Sequence, residues 1–126
     1  MILQVRIPGP AVPKARARIS TRGTSTPRKT VEYQARVCRA LDAARIAAEW
    51  PERFDGRVSV EIVMVAPPMN IDGDNVEKIV LDAMTKARIV RDDTLRHVRG
   101  CRWYVVDEGE PSVLVMVFGR PTEERM

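Results

Sequence analysis

The residues best equipped for chemistry in this sequence are acidic, and they fall in two short groups. Asp72-Gly73-Asp74-Asn75 sets two carboxylates one residue apart, and Asp92-Asp93 sets two side by side. On extended or turning backbone, the first two can reach one hard cation together. Mg2+ takes a few carboxylate oxygens and keeps its other positions for water and substrate phosphate. Gly73 leaves room for a ligand to come close. A third carboxylate from the later pair would complete a site for one or two ions. Metal-assisted phosphodiester cleavage needs such a site, to activate a water and to place cations where charge develops.

Plainer roles are open to the same residues. Asp74 can cap a helix, with Glu77 three residues on completing a box-like cap. Asp74, Lys78, Asp82 and Lys86 form an i, i+4 ladder, each pair contributing about 0.2–0.5 kcal/mol on a solvated face. Asp92-Asp93 is also ordinary turn chemistry. A calcium EF-hand loop fails, because Val76 and Glu77 stand where an oxygen ligand and a glycine are required. An Asp-x-Asp that holds a nucleotide sugar through its metal usually belongs to a domain larger than these 126 residues. His97, the single histidine, has no elbow or spacing that makes a nucleophilic triad with Cys38 or Cys101.

Periodicity outlines the elements that must hold these groups. Leu3, Val5 and Ile7 alternate with polar neighbours as a half-buried strand, ended by Pro8-Gly9-Pro10. From Ala11 to Lys29 no acidic residue occurs, while Lys14, Arg16, Arg18, Arg22, Arg28 and Lys29 stand among Ser, Thr and Gly. Such a stretch has no face to bury and reads as an exposed basic loop or arm. A helix is expected from about Thr30, whose hydroxyl can cap it. Its apolar stripe is Tyr33, Val37, Ala40, Leu41, Ala44 and Ala48, and Trp50-Pro51 stops it. No role follows for Trp50 from its position at that end.

Val58, Val60, Ile62 and Met64 mark a second strand, closed by Ala66-Pro67-Pro68. Val76, Ile79, Val80, Ala83, Met84 and Ala87 fall at helical spacing and predict a second helix, over about 75–87. Strands follow at about Val98–Val106 and Ser112–Phe118, joined by a turn at Asp107–Pro111, with Trp103 and Tyr104 expected in core packing. The order is β, arm, α, β, α, β, β. It predicts one α/β (α+β) domain over residues 1–119, a mixed sheet of about four strands with two main helices. The basic arm at 11–29 lies within it, and residues 120–126 form a short tail.

The net charge of +4 is unevenly spread: residues 1–56 hold eleven Lys/Arg against five Asp/Glu, and residues 57–126 ten against twelve. A basic half beside an acidic half suits a polyanion held by one and metal ions by the other. Neither cysteine belongs to a CxxC pair, so zinc and disulfide frameworks are set aside in favour of reduced core thiols. The start is too short and polar for a signal peptide, and no apolar run nears the roughly 20 residues of a membrane span. A cytoplasmic protein is expected.

Taken in order, these segments resemble the RusA family of Holliday-junction resolvases. That family's pattern is D-x-D-N-x-x-K, then a D-A-L-T-K-A-like helix, then a loop with D-D. It is met by Asp72-Gly73-Asp74-Asn75 with Lys78, by Leu81-Asp82-Ala83-Met84-Thr85-Lys86-Ala87, and by Asp92-Asp93. Gly9-Pro10-Ala11-Val12-Pro13-Lys14-Ala15-Arg16 resembles the family's proline- and basic-rich start, and Thr26-Pro27-Arg28-Lys29-Thr30 a feature that recurs before its first helix. The resemblance implies a metal-dependent endodeoxyribonuclease that resolves four-way junctions by paired nicks. It places Mg2+ or Mn2+ on Asp72, Asp74 and Asp93, and the catalytic lysine on Lys78. It also implies a homodimer with branched DNA as partner, neither membrane nor small-molecule substrate, and an arm whose cations contact phosphates. The rival is a DNA- or RNA-binding module whose acids only cap and turn.

One departure is Arg88, where the family commonly has a glycine. One geometric question is open. A helix over 75–87 carries the chain about 20 Å from Asp74, and residues 88–93, fully extended, return about 20 Å at most. Closing the site within one chain is slightly preferred to delivery of Asp93 from a neighbouring subunit.

Overall fold

The computed structural model describes residues 1–12, 18–20, 23–25 and 28–121, the segments 18–20 and 23–25 and residue 121 by backbone alone. Strand β1 (Ile2–Pro8) is followed by a small antiparallel pair, β2 (Arg18–Ser20) and β3 (Gly23–Ser25). Then come α1 (Arg28–Ala47), β4 (Gly56–Val65), α2 (Gly73–Lys86), β5 (Val98–Val106) and β6 (Ser112–Pro121). The main sheet runs β1-β6-β4-β5, with β4 and β5 parallel and the other pairs antiparallel. This is the expected single α+β domain with four main strands and two helices.

Alternation decides which face of the sheet is buried. Val58, Val60, Ile62 and Met64 of β4 are at most 1% exposed, while their neighbours are half-buried. Val113, Val115 and Val117 of β6 and Leu3 and Ile7 of β1 continue that face. Both helices cover it. All six apolar residues expected on α2 are buried, and Tyr33, Val37 and Leu41 do the same for α1. Burying one such side chain stabilises the fold by about 1.5–3 kcal/mol.

Several expectations need correction. Helix α1 begins at Arg28, which leaves Thr30 buried inside its first turn and not at a cap. Ala48, expected on the stripe, is exposed. Within the predicted arm, Ala11 and Val12 are buried and β2 and β3 pair. The segment Asp107–Pro111 joins β5 to β6 as expected, but without pairing them, since β6 inserts between β1 and β4. Trp50 is a core residue: its Nε1–H donates to the Ile89 carbonyl at 3.0 Å and its ring lies 4.8 Å from that of Phe54. Among the described residues no helix is long and apolar enough to cross a membrane.

Candidate active site

Helix α2 starts where it does because Asp72 caps it. Asp72 is extended (φ −97°, ψ 120°), and its Oδ1 accepts the Asp74 backbone N–H at 3.0 Å. The expected cap was Asp74. With Asp72 in that role, Asp74 lies in the first turn, where the positive end of the helix dipole stabilises a negative charge. Both aspartates are exposed. The cap occupies one oxygen of Asp72, and a carboxylate can offer its other oxygen to a cation at the same time. Two exposed oxygen donors sharing one turn fit a hard divalent ion. Lys78, exposed and one turn further on, stands on the same side of the helix.

Strand β5 grips this turn from the sheet side. Trp103, paired in register with buried Ile62, donates its Nε1–H to Asp74 Oδ1 at 3.3 Å. A Cβ on Gly73 would fall 2.5 Å from two carbons of the Trp103 indole. Gly73 is therefore needed by the tryptophan, and the expected room for a ligand is filled. Trp103 itself is 39% exposed and Tyr104 46%. Neither is the core residue expected, because β5 is the edge of the sheet. Cys101, two residues before Trp103, meets Glu77 of α2; burial first, then that negative charge, push its thiol well above the ordinary range. That shift opposes the thiolate form a nucleophilic cysteine needs.

The second acidic pair divides its labour. Asp92 Oδ1 accepts from the Thr94 backbone N–H at 3.0 Å, the Thr94 hydroxyl at 2.6 Å and His97 Nδ1 at 2.9 Å. These bonds, the Thr94 hydroxyl foremost, hold its carboxyl well below the usual carboxylate range. His97 is accounted for by this loop. Asp93 is exposed, and it lines an open cleft of about 510 Å3 with Thr30, Val31 and Gln34 of α1 and Asp82, Thr85 and Lys86 of α2.

That position is away from the first pair. Asp82 lies eight residues along α2 from Asp74, a rise of about 12 Å. Among the described residues no three Asp, Glu, His or Cys side chains group closely enough to hold a metal ion. The cause is visible in the chain after α2. Arg88 adopts φ 62°, its N–H bonds Thr85 O, and the N–H of Ile89 bonds Met84 O. This left-handed cap is the one glycine usually provides. Ile89 and Val90 then turn into the core, where the Ile89 carbonyl takes the Trp50 and Phe54 N–H groups. A straight return toward Asp74 is not made.

The basic residues are only partly in view. Lys14, Arg16 and Arg22 lie outside the described residues, as does the side chain of Arg18. Arg28 and Lys29 are exposed at the start of α1, and Arg28 pairs with Glu32 at 2.8 Å. A second cleft, about 570 Å3, carries Arg39, Arg45, Lys86 and Arg88. Sequence patterning missed it, since its cations come from two segments far apart in the chain, α1 and the end of α2.

Comparison with known proteins bears on this geometry. A family model described as endodeoxyribonuclease RusA matches residues 8–118, which span both acidic pairs, Lys78 and the strand that carries Trp103. No curated protein matches the chain. The match covers most of the sequence, from the last residue of β1 into β6, so the chain belongs to the RusA endodeoxyribonuclease family.

Proposed function

We propose that this protein is a structure-selective endodeoxyribonuclease that resolves four-way DNA junctions with Mg2+ or Mn2+. The observation that carries the reading is the exposed Asp72 and Asp74 pair on the first turn of α2, inside the matched segment. A divalent cation bound there supplies Lewis acidity and positive charge at the scissile phosphate. Lys78 adds a cation beside the same helix N-terminus, a place that already favours anions. It balances the charge that develops on phosphorus or protonates the leaving oxygen.

Asp93 completes the ligand set. Its place beside Asp82 and Lys86, away from Asp72 and Asp74, favours delivery from a neighbouring subunit, against the slight preference drawn from the family's carboxylates forming one cluster. A homodimer meets that need, and it matches the near two-fold symmetry of a junction that takes paired nicks. The exposed edge of β5 supports a second copy: Trp103, Tyr104, Val105 and Val106 are between 39% and 46% exposed on a strand with one open side. Such edges pair with other chains unless guarded. Lys14, Arg16, Arg18, Arg22, Arg28 and Lys29 contact phosphates, so binding is salt-sensitive with little sequence reading.

The test is direct. Protein, labelled four-way junction and Mg2+ are combined, and products are separated under denaturing conditions. Symmetric nicks are expected. Retarded but intact junction would return the acids to capping and leave a binding module.

A further inference from the structure

Strand β5 bears on the acidic turn through the side chain of Trp103. Two observations meet there. The indole lies so close over Gly73 that a Cβ at that position would fall 2.5 Å from Cε2 and Cζ2 and 2.7 Å from Cη2. Its Nε1–H also donates to Asp74 Oδ1 at 3.3 Å. Gly73 has no positive φ, so its missing side chain serves the approach of the ring and not an unusual backbone. The two residues are matched in size, and the match aims the N–H at one oxygen of one carboxylate.

An indole N–H suits this task. It can donate and cannot accept or ionise, so it holds Oδ1 while leaving the carboxylate charge intact. With one oxygen held, rotation of the carboxylate is restricted and the second oxygen has a preferred direction. A lysine or arginine in the same place would cancel the charge that a cation needs. We infer that Trp103 is a positioning residue of the acidic centre, orienting the Asp74 carboxylate for a divalent cation through its indole N–H. This inference rests on the reading of Asp72 and Asp74 as metal-binding residues.

Two variants test it. Trp103→Phe keeps a ring against Gly73 and removes the donor; Gly73→Ala keeps the donor and drives the ring away. Each is expected to keep wild-type junction affinity in the absence of metal. Each should need about tenfold more Mg2+ for half-maximal nicking, the loss of one hydrogen bond to a charged group. A readout free of activity comes from tryptophan emission during Mn2+ titration of the protein without DNA. Wild type should respond. Trp103→Phe, which retains only the buried Trp50, should not, and neither should Asp74→Asn. An unchanged metal requirement in both variants, or an unresponsive wild type, while Asp74→Asn is inactive, would overturn the role of Trp103 alone. Wild-type nicking by Asp74→Asn would overturn the acidic centre and this inference with it. Should Trp103→Phe fail to fold, Gly73→Ala decides, because alanine suits the first turn of a helix.

Discussion

The two acidic pairs have the same chemistry in the sequence and opposite arrangements in the fold. At Asp72 and Asp74 each carboxylate accepts one hydrogen bond and stays exposed. At Asp92 and Asp93 one carboxylate takes three hydrogen bonds while the other is left at the mouth of a cleft. The first pair is two candidate ligands on one frame. The second is a lock and a single candidate ligand. A doubled aspartate therefore says nothing by itself about how many oxygens face a substrate. The loop or helix that carries it decides.

The sharpest way to break this comparison is Asp74→Asn. It should lower cutting by roughly a hundredfold or more, since a direct ligand matters at least as much as the groups that support one. Junction affinity should hold or rise, because a negative charge near phosphates is removed. Cutting at the wild-type rate would reduce the first pair to a cap and its neighbour.

Subunit exchange gives the next largest effect. Asp72→Asn and Asp93→Asn proteins, each inactive alone, are mixed under conditions that exchange subunits. If Asp93 serves the partner's site, each mixed dimer holds one intact set and should nick a single strand. Silence in the mixture would place all ligands in one chain and require the loop after Val90 to move.

Asp92→Ala probes the lock. Cutting should fall partially, and hydrogen exchange at the Thr94 and Val98 amides should quicken, with α2 unaffected. The pH dependence follows from the depressed carboxyl of Asp92. A folded-state value below the unfolded one stabilises the loop above the ordinary aspartate value, near 3.9, and the benefit is lost only as pH falls through the lower folded value. The loop should stay protected at about pH 4. Opening in the ordinary carboxylate range would mean that the three bonds do not form in solution.

The smallest effect belongs to Arg88→Gly, at the turn between the two pairs. Removing a side chain from a left-handed residue should stabilise by up to about 1 kcal/mol. The lost Arg88–Glu52 contact at 3.3 Å is exposed and offsets little of it. Thermal unfolding measures the gain, and a loss of stability would show that the side chain matters more than the turn.

How much of this was legible beforehand depended on range. The α2 stripe was read correctly at all six positions, because helical spacing reports directly which side meets the core. The four main strands were located by alternation, while β2 and β3 fell inside the stretch read as an arm. The family resemblance, carried by Asp72, Asp74, Lys78 and the Leu81–Ala87 helix, was also legible and is upheld by the match over residues 8–118. What failed was relation between distant segments. Trp103 was expected in the core because a strand pattern does not say that the strand is an edge. Gly73 was given to a ligand because nothing nearby in sequence announces an indole thirty residues later. The cap moved from Asp74 to Asp72 because helix starts shift by a residue or two in any pattern reading. The position of Asp93 turned on Ile89 and Val90 docking under Trp50, a contact no local period contains.

The insertion of β6 between β1 and β4 bears on how the molecule is assembled in time. Among the described residues, β1 has β6 as its one sheet neighbour, and the Met1 amino group reaches the Gly119 carbonyl at 3.2 Å. Strand β1 must therefore wait, unpaired, for β6. The parallel unit of β4, α2 and β5 can gather earlier, with the acidic turn already framed. Closing so long a loop is slow relative to local pairing, and Leu3, Val5 and Ile7 lack their sheet partner while it lasts. On a ribosome this places the moment of greatest aggregation risk after the acidic turn has formed and before β6 has emerged.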